Sequence, residues 1–330
     1  MKGHSFHMKV DELRAVLGKY DAPMLKEIVV ELYKMLPKAR KEEGGLDEHL
    51  SNFTREKTKP AQKDAPVNFE ALKGEIEQFL DYADKQYYLI PNRYVHKEKR
   101  SKWRFEVKRF IKDLTGIGGE NSEEAARLLA GIYEMLCYGC SYWIFSTEDP
   151  FSSVGYEKSE LLSLVLNKMF YSGFTLPAIK AAVYLTLDNS SPLAVLLSFL
   201  KTPDTKEMAL SQCDEYRKQN AAHRKSKNLF KETDTNGYYR TQRNNQAVGL
   251  YLLLKFSLYE YEEGMAYFWA NYSEQKKEVA LYVLLAHYMS GEGERLNALW
   301  IREYEKWVAA GIKPRDYLRE EYEQRKGQAR

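Results

Sequence analysis

The chain has 330 residues, 44% of them hydrophobic, with 50 Lys and Arg against 47 Asp and Glu. That much apolar material supports a sizeable core and excludes a disordered tail, while the near balance of charge means that any polyanion contact must come from a local patch rather than from the net +3. An apolar run of about 18 residues, the minimum for a membrane span, is absent.

Residues 1–8 read as a tag remnant or upstream extension with no apolar signal core, and three cysteines argue against a disulfide framework, so a cytoplasmic location is expected. The 25 Tyr, 14 Phe and 5 Trp read chiefly as helix packing, with hydroxyls at the rim of the core.

Lys9 to Leu17 is expected to form a short helix, and Asp21 with Pro23 marks the start of a second. Leu25, Ile28, Val29, Leu32, Tyr33 and Leu36 follow helical spacing until Pro37 stops the pattern. Residues 38–66, rich in Lys and Glu and holding Gly44-Gly45 and two prolines, read as a polar linker. Helical periodicity returns from Val67 to Tyr88, and Pro91 ends it.

The stretch Asn92 to Lys112 holds nine cations against Glu98 and Glu106, a net +7. Within it Trp103, Val107, Phe110, Ile111 and then Leu114 recur at helical spacing, while Arg100, Arg104, Lys108 and Lys112 follow a four-residue step on another face. The pattern predicts one helix with an apolar stripe and a basic stripe. Cations in its first turn oppose the helix dipole unless an anion is also present.

Thr115 to Glu120, TGIGGE, lacks a preceding strand and the Gly-Lys-Ser/Thr ending of a phosphate loop, so it reads as a helix C-cap and turn. Ser122 opens a helix too densely apolar for a surface position. Glu148 to Phe151 reads as a turn, and Glu157 to Tyr171 as an apolar helix broken by Gly173. Leu176-Pro177, Ser191-Pro192 and Thr202-Pro203 each place proline at a helix start. Residues 212–245 form a polar segment, after which Ala247 to Tyr261, Gly264 to Tyr272, a helix capped by Ser273, Glu294 to Ala310 and a last helix from Pro314 follow.

Successive helices with short turns and no alternating strand pattern predict an all-α fold. The expected form is a solenoid-like array of helical hairpins without a strict repeat, with a globular helical bundle as the alternative. The expected organisation is an N-terminal helical domain over residues 9–172 and a C-terminal one over residues 173–330.

No constellation supports catalysis. Cys137 and Cys140 make a C-x-x-C inside a helix, but Cys213 is the only other cysteine, short of a zinc ligand set. Redox pairs begin at a helix N-terminus, which Cys137 does not. His96, His223 and His287 share no ligand spacing, and His287 reads as a packing residue. Neither a metal nor another cofactor is expected.

A second basic segment, Tyr216 to Arg243, carries eight cations against two acids, a net +6, so the remainder of the chain sums to −10. Tyrosines and amides interleave with its charges, the composition of a backbone-contacting, base-stacking surface and equally of an exposed loop. The pattern LKEIVVELY, the run into SKWRFEVKRFIKDL, the helix EEAARLLAGIYE and the turn EDPF together resemble a group of small uncharacterised bacterial helical proteins, a domain of unknown function, over Lys9 to Phe170. The resemblance implies a helical fold and transfers no activity or ligand residue.

The expected function is non-enzymatic binding of a polyanion, nucleic acid above all. Arg93, Lys97, Arg100, Arg104, Lys108 and Lys112 would make the phosphate contacts, with Arg217, Arg224, Lys225 and Lys227 as a second set. The alternative is a protein–protein scaffold with an aromatic groove and an acidic partner, or with the cations facing the chain's own acids.

Overall fold

The computed structural model describes residues 13, 16–37, 68–89, 102–221, 237–291 and 293–328. Among these the fold is all-helical, with fourteen α-helices, one 3₁₀ turn, one π-helical segment and no strand. The chain divides into two compact units, residues 1–66 and 67–330.

In the first unit α1 spans Ala22–Met35. The Asp21 carboxylate accepts the Met24 amide at 3.0 Å, Pro23 occupies the first turn, and the chain leaves the helix at Leu36, just ahead of Pro37. The linker expected over residues 38–66 lies outside the described residues.

The second unit begins with α2, Phe69–Asp84, capped by Asn68, and α3, Trp103–Gly116. After a 3₁₀ turn, Gly119–Asn121, comes α4, Ser122–Ser141, followed by α5, Pro150–Val154, and α6, Lys158–Met169. The middle of the unit is α7, Leu176–Asp188, α8, Leu193–Phe199, and α9, Pro203–Ala221. Then follow α10, Tyr238–Ser257, α11, Tyr261–Asn271, α12, Lys277–Tyr282, α13, Glu294–Ala309, and α14, Asp316–Gln328.

Most helices pack on a sequence neighbour or the next one along. The hub of the first part is α4, which packs on α2, α3, α5 and α6 and buries Ala125, Leu128, Leu129, Ile132, Tyr133 and Leu136 among others. Its density of apolar residues leaves only a narrow edge to solvent, at Glu123 and Arg127 and at its C-terminal end, as the sequence predicts.

One apolar cluster runs from Phe69 to Leu254, and it crosses residues 172–173 without a break: Phe170 and Ile179 both belong to it. A second cluster begins at Val248 and closes around Phe268, Leu284, Trp300 and Leu318. The two meet along α10, where Ala247, Leu250 and Leu254 enter the first core and Val248 and Leu252 the second. A helix buried on two faces reads as a run rather than a stripe, which is why its sequence announces a helix but not its position between two cores.

Several boundaries depart from the sequence reading. The polar segment 212–245 is helical up to Ala221 and again from Tyr238, because Cys213, Tyr216 and Ala247 are buried and hold both ends to the core. Asp149 caps a short helix at Pro150 instead of a turn, its carboxylate accepting the Ser152 amide at 2.9 Å.

Ser273 caps nothing. Its amide donates to the Asn245 side-chain oxygen at 2.8 Å and its carbonyl accepts from the same amide group at 3.0 Å, so α12 starts later, at Lys277. The continuation of α12 is the π segment, Val283–Tyr288, whose Leu285 carbonyl accepts from the Trp300 indole at 3.2 Å. His287 is exposed, its ring edge-on to Tyr282 at 5.6 Å, so it is not a core packing residue.

Two predictions follow from this packing. A β-carbon at Gly249 would overlap the hydroxyl end of Tyr288, which lies against α10 there. Gly249→Ala should therefore destabilise by about 1–3 kcal/mol despite alanine's better helix propensity. In a Tyr288→Leu background the same change should be neutral or stabilising, as a denaturation double-mutant cycle would register; additivity of the two changes would contradict the overlap.

The second concerns acid. Arg127 and Lys73 hydrogen-bond Glu124 at 2.7 and 2.8 Å, joining α4 to α2, and hold its carboxyl down at about 2, from an ordinary 4.5. A depressed carboxyl contributes stability above its unfolded value and loses it as pH falls from about 4.5 towards 2. Glu124→Gln should flatten that part of the stability–pH curve by about 1 kcal/mol, measured by chemical denaturation across the range.

Candidate functional site

The geometry of α3 is set by its buried side. Trp103 stacks on Phe145 with centroids 4.0 Å apart, Phe110 meets Phe79 edge-on at 5.5 Å, and Val107, Ile111 and Leu114 complete the seam against the core. Helical periodicity then turns Arg104, Lys108 and Lys112 outward together, and all three are exposed. They stand about 6 Å apart along the axis, four residues at 1.5 Å each.

The pairing of the surrounding charges is uneven. Arg109, on the flank of α3, is bound to Glu75 at 2.5 Å, and Arg127 and Lys73 share Glu124. Arg104 and Lys108 form no ion pair among the described residues: the Arg104 guanidinium lies over the ring of Phe105 at 5.1 Å, and the Lys108 ammonium rests near Gly155, at the end of α5. Phe105 is 59% exposed. The N-cap residue of α3 is Lys102, which makes no side-chain capping bond, so the helix begins with cations at its positive pole.

The other predicted contacts fare differently. Arg93, Lys97, Arg100, Arg224, Lys225 and Lys227 lie outside the described residues. Arg217 is inside, on α9, and it is engaged by the protein itself. Its guanidinium donates to the Tyr267 hydroxyl at 2.6 Å and to the Asn271 side-chain oxygen at 2.9 Å, tying α9 to α11. Burial pushes the Tyr267 hydroxyl up to about 12 even against the pull of Arg217, so it remains the neutral partner of that bond. The described parts of the two basic segments do not pack on each other: α3 packs on α4 and α5, whereas α9 packs chiefly on α7 and α10.

A cleft of about 420 Å³ opens where Arg217's neighbours gather, lined in part by Glu207, Asp214, Glu260, Tyr251, Tyr267 and Lys255. Tyr251 stacks on Tyr267 at 3.6 Å. Burial pulls the Lys255 ammonium down, but hydrogen bonds to Glu260 and Glu263 at 2.5 and 2.7 Å outweigh it and hold the group above its ordinary value. Lys218 holds Asp214 below the ordinary carboxylate range. Three carboxylates around one neutralised lysine make this cleft a poor seat for a polyanion.

Cys137 is pushed up to about 12 by burial, and burial raises the Cys140 and Cys213 thiols as well, the opposite of what a thiolate ligand or nucleophile requires.

One residue absent from the sequence reading stands beside α3. Lys168, in the last turn of α6, is only 6% exposed, and its ammonium donates to the carbonyl of Ile117, the C-cap of α3. TGIGGE is thus a helix end held by a cation. Desolvation lowers the Lys168 pKa. The contact spans 51 residues, and locally Lys168 looks like any lysine near a helix C-terminus.

Comparison with protein-family models, curated proteins and solved structures finds no match. Among the described residues no helix is long and apolar enough to cross a membrane.

Arg217→Met should destabilise by about 1–3 kcal/mol, since it removes a half-buried charged donor and leaves the Tyr267 and Asn271 acceptors unpaired. It should leave polyanion affinity unchanged. Intact stability with weakened binding would make Arg217 a ligand contact instead.

Proposed function

We propose that the chain is a non-enzymatic helical binding protein whose ligand is nucleic acid, held along the outward face of α3. The observation that carries this reading is the row Arg104, Lys108 and Lys112, displayed by a helix whose opposite face is buried, with Arg104 and Lys108 outside every ion pair among the described residues. Cations already matched by carboxylates, such as Arg109 with Glu75, gain little from a further anion. Arg104 and Lys108, outside such pairs, gain both the Coulomb attraction and the release of counterions from a phosphate backbone.

Sequence specificity needs base-edge contacts from amides or arginine forks, and α3 presents mainly point charges in its outward row. The contact is therefore of the backbone type, tolerant of sequence and sensitive to salt.

Fluorescence anisotropy with short DNA and RNA strands, at about 50 mM salt and upward, tests this directly. Three phosphate contacts give a slope of log K against log salt of about −2 to −3, and Lys108→Gln should reduce its magnitude by about 0.7–0.9 with the fold unchanged. Absence of binding at about 50 mM salt would overturn the reading and turn attention to an acidic protein partner.

A further inference from the structure

At the C-terminal end of α3 the chain turns through Ile117 and Gly118, and the end of α6 meets it there. The Lys168 ammonium, fixed by its bond to the Ile117 carbonyl, lies 5.3 Å from the ring centroid of Tyr171. The Tyr171 hydroxyl lies over Gly118, where an added β-carbon would approach it to 3.2 Å. The ring is therefore backed by a pinned cation and positioned at its edge by backbone, yet it is 62% exposed.

The ring has protein against one side and lies open on the other. Beside it Phe174, itself exposed, stacks on Phe170 at 4.5 Å and extends the apolar shelf. Lys168 has no carboxylate within ion-pair distance among the described residues, so it adds an uncompensated positive charge beneath the ring.

We infer that Tyr171 is a base-stacking platform and that the ligand of α3 is single-stranded nucleic acid; this rests on the nucleic-acid reading of α3 and adds the strandedness of the ligand. The basic row runs from Arg104 at one end of α3 to Lys112 near the other, with an exposed ring next to each end: Phe105 under the Arg104 guanidinium, and Tyr171 at the turn that leaves the helix. From Arg104 to Gly116 is about 18 Å along the axis, enough for several nucleotides to lie across the row.

Stacking on an aromatic ring requires a free base face. A duplex hides its base faces against one another and can offer Tyr171 only phosphate and sugar, whereas a single strand presents them. Stacking of this kind tolerates any base, which suits a row of point charges that does not read base edges.

The test compares three probes with the full chain at one salt concentration: a thymine oligonucleotide, a strand of equal length and charge lacking bases, and a duplex. The thymine strand should bind about tenfold or more tightly than the abasic strand, the range expected from stacking of one base. It should also bind more tightly than the duplex. Tyr171→Ala should erase the preference for bases without changing the salt slope, and Tyr171→Phe should keep it.

Equal affinity for thymine and abasic strands would overturn the inference while leaving the phosphate contact standing, as would a preference that survives Tyr171→Ala. A duplex bound as tightly as the single strand would overturn the strandedness. Failure of all three probes to bind at low salt would remove the nucleic-acid reading itself, and this inference with it.

Discussion

The burial of α4 is the constraint on which the display of the basic row depends. With α2, α3, α5 and α6 all packed on it, α4 has almost no outward face, and α3 can dock only through Trp103, Val107, Phe110, Ile111 and Leu114. Burying each of those large side chains is worth about 1.5–3 kcal/mol, far more than any surface charge on α3 can return by rotating the helix. The rotation of α3 is thus decided by its apolar side. Arg104, Lys108 and Lys112, on the opposite side, are left exposed.

Charge pairing then separates two kinds of cation that composition alone cannot tell apart. An acidic remainder of net −10 is a ready counterweight for basic segments. It acts on some of them: Glu75 takes Arg109 and Asp214 takes Lys218. Those acids lie on α2 and α9, and among the described residues neither reaches Arg104 or Lys108. The acidic body and the basic row therefore coexist without cancelling at these two positions.

What could be read in advance followed from local rules. The two stripes of α3, the density of α4, the Asp21 cap and the hydroxyl cap at Thr202 are short-range signals present in the structure, whereas Ser191 caps nothing because Pro192 takes the N-cap position of α8. What escaped was long-range. Arg217 looked like part of a basic loop until α11 brought Tyr267 and Asn271 to it across more than fifty residues. Ser273 looked like a cap until Asn245, on α10, captured its backbone. Lys168 and Tyr171 carried no signal at all, because the helix end they serve belongs to α3. Polar composition over residues 212–245 hid helix for the same reason: Cys213 and Tyr216 are few, and only their burial against α7 and α10 neighbours makes them decisive.

The central claim is that the outward face of α3 is where the ligand lies. Lysine acetylation read by mass spectrometry, with and without a saturating single-stranded oligonucleotide, addresses it without any substitution. Lys108 and Lys112 should be protected, while Lys306 and Lys326, paired with Glu303 and Glu305 on the α13–α14 side, should keep their reactivity. Unchanged reactivity of Lys108 and Lys112 while the oligonucleotide is bound would contradict the account.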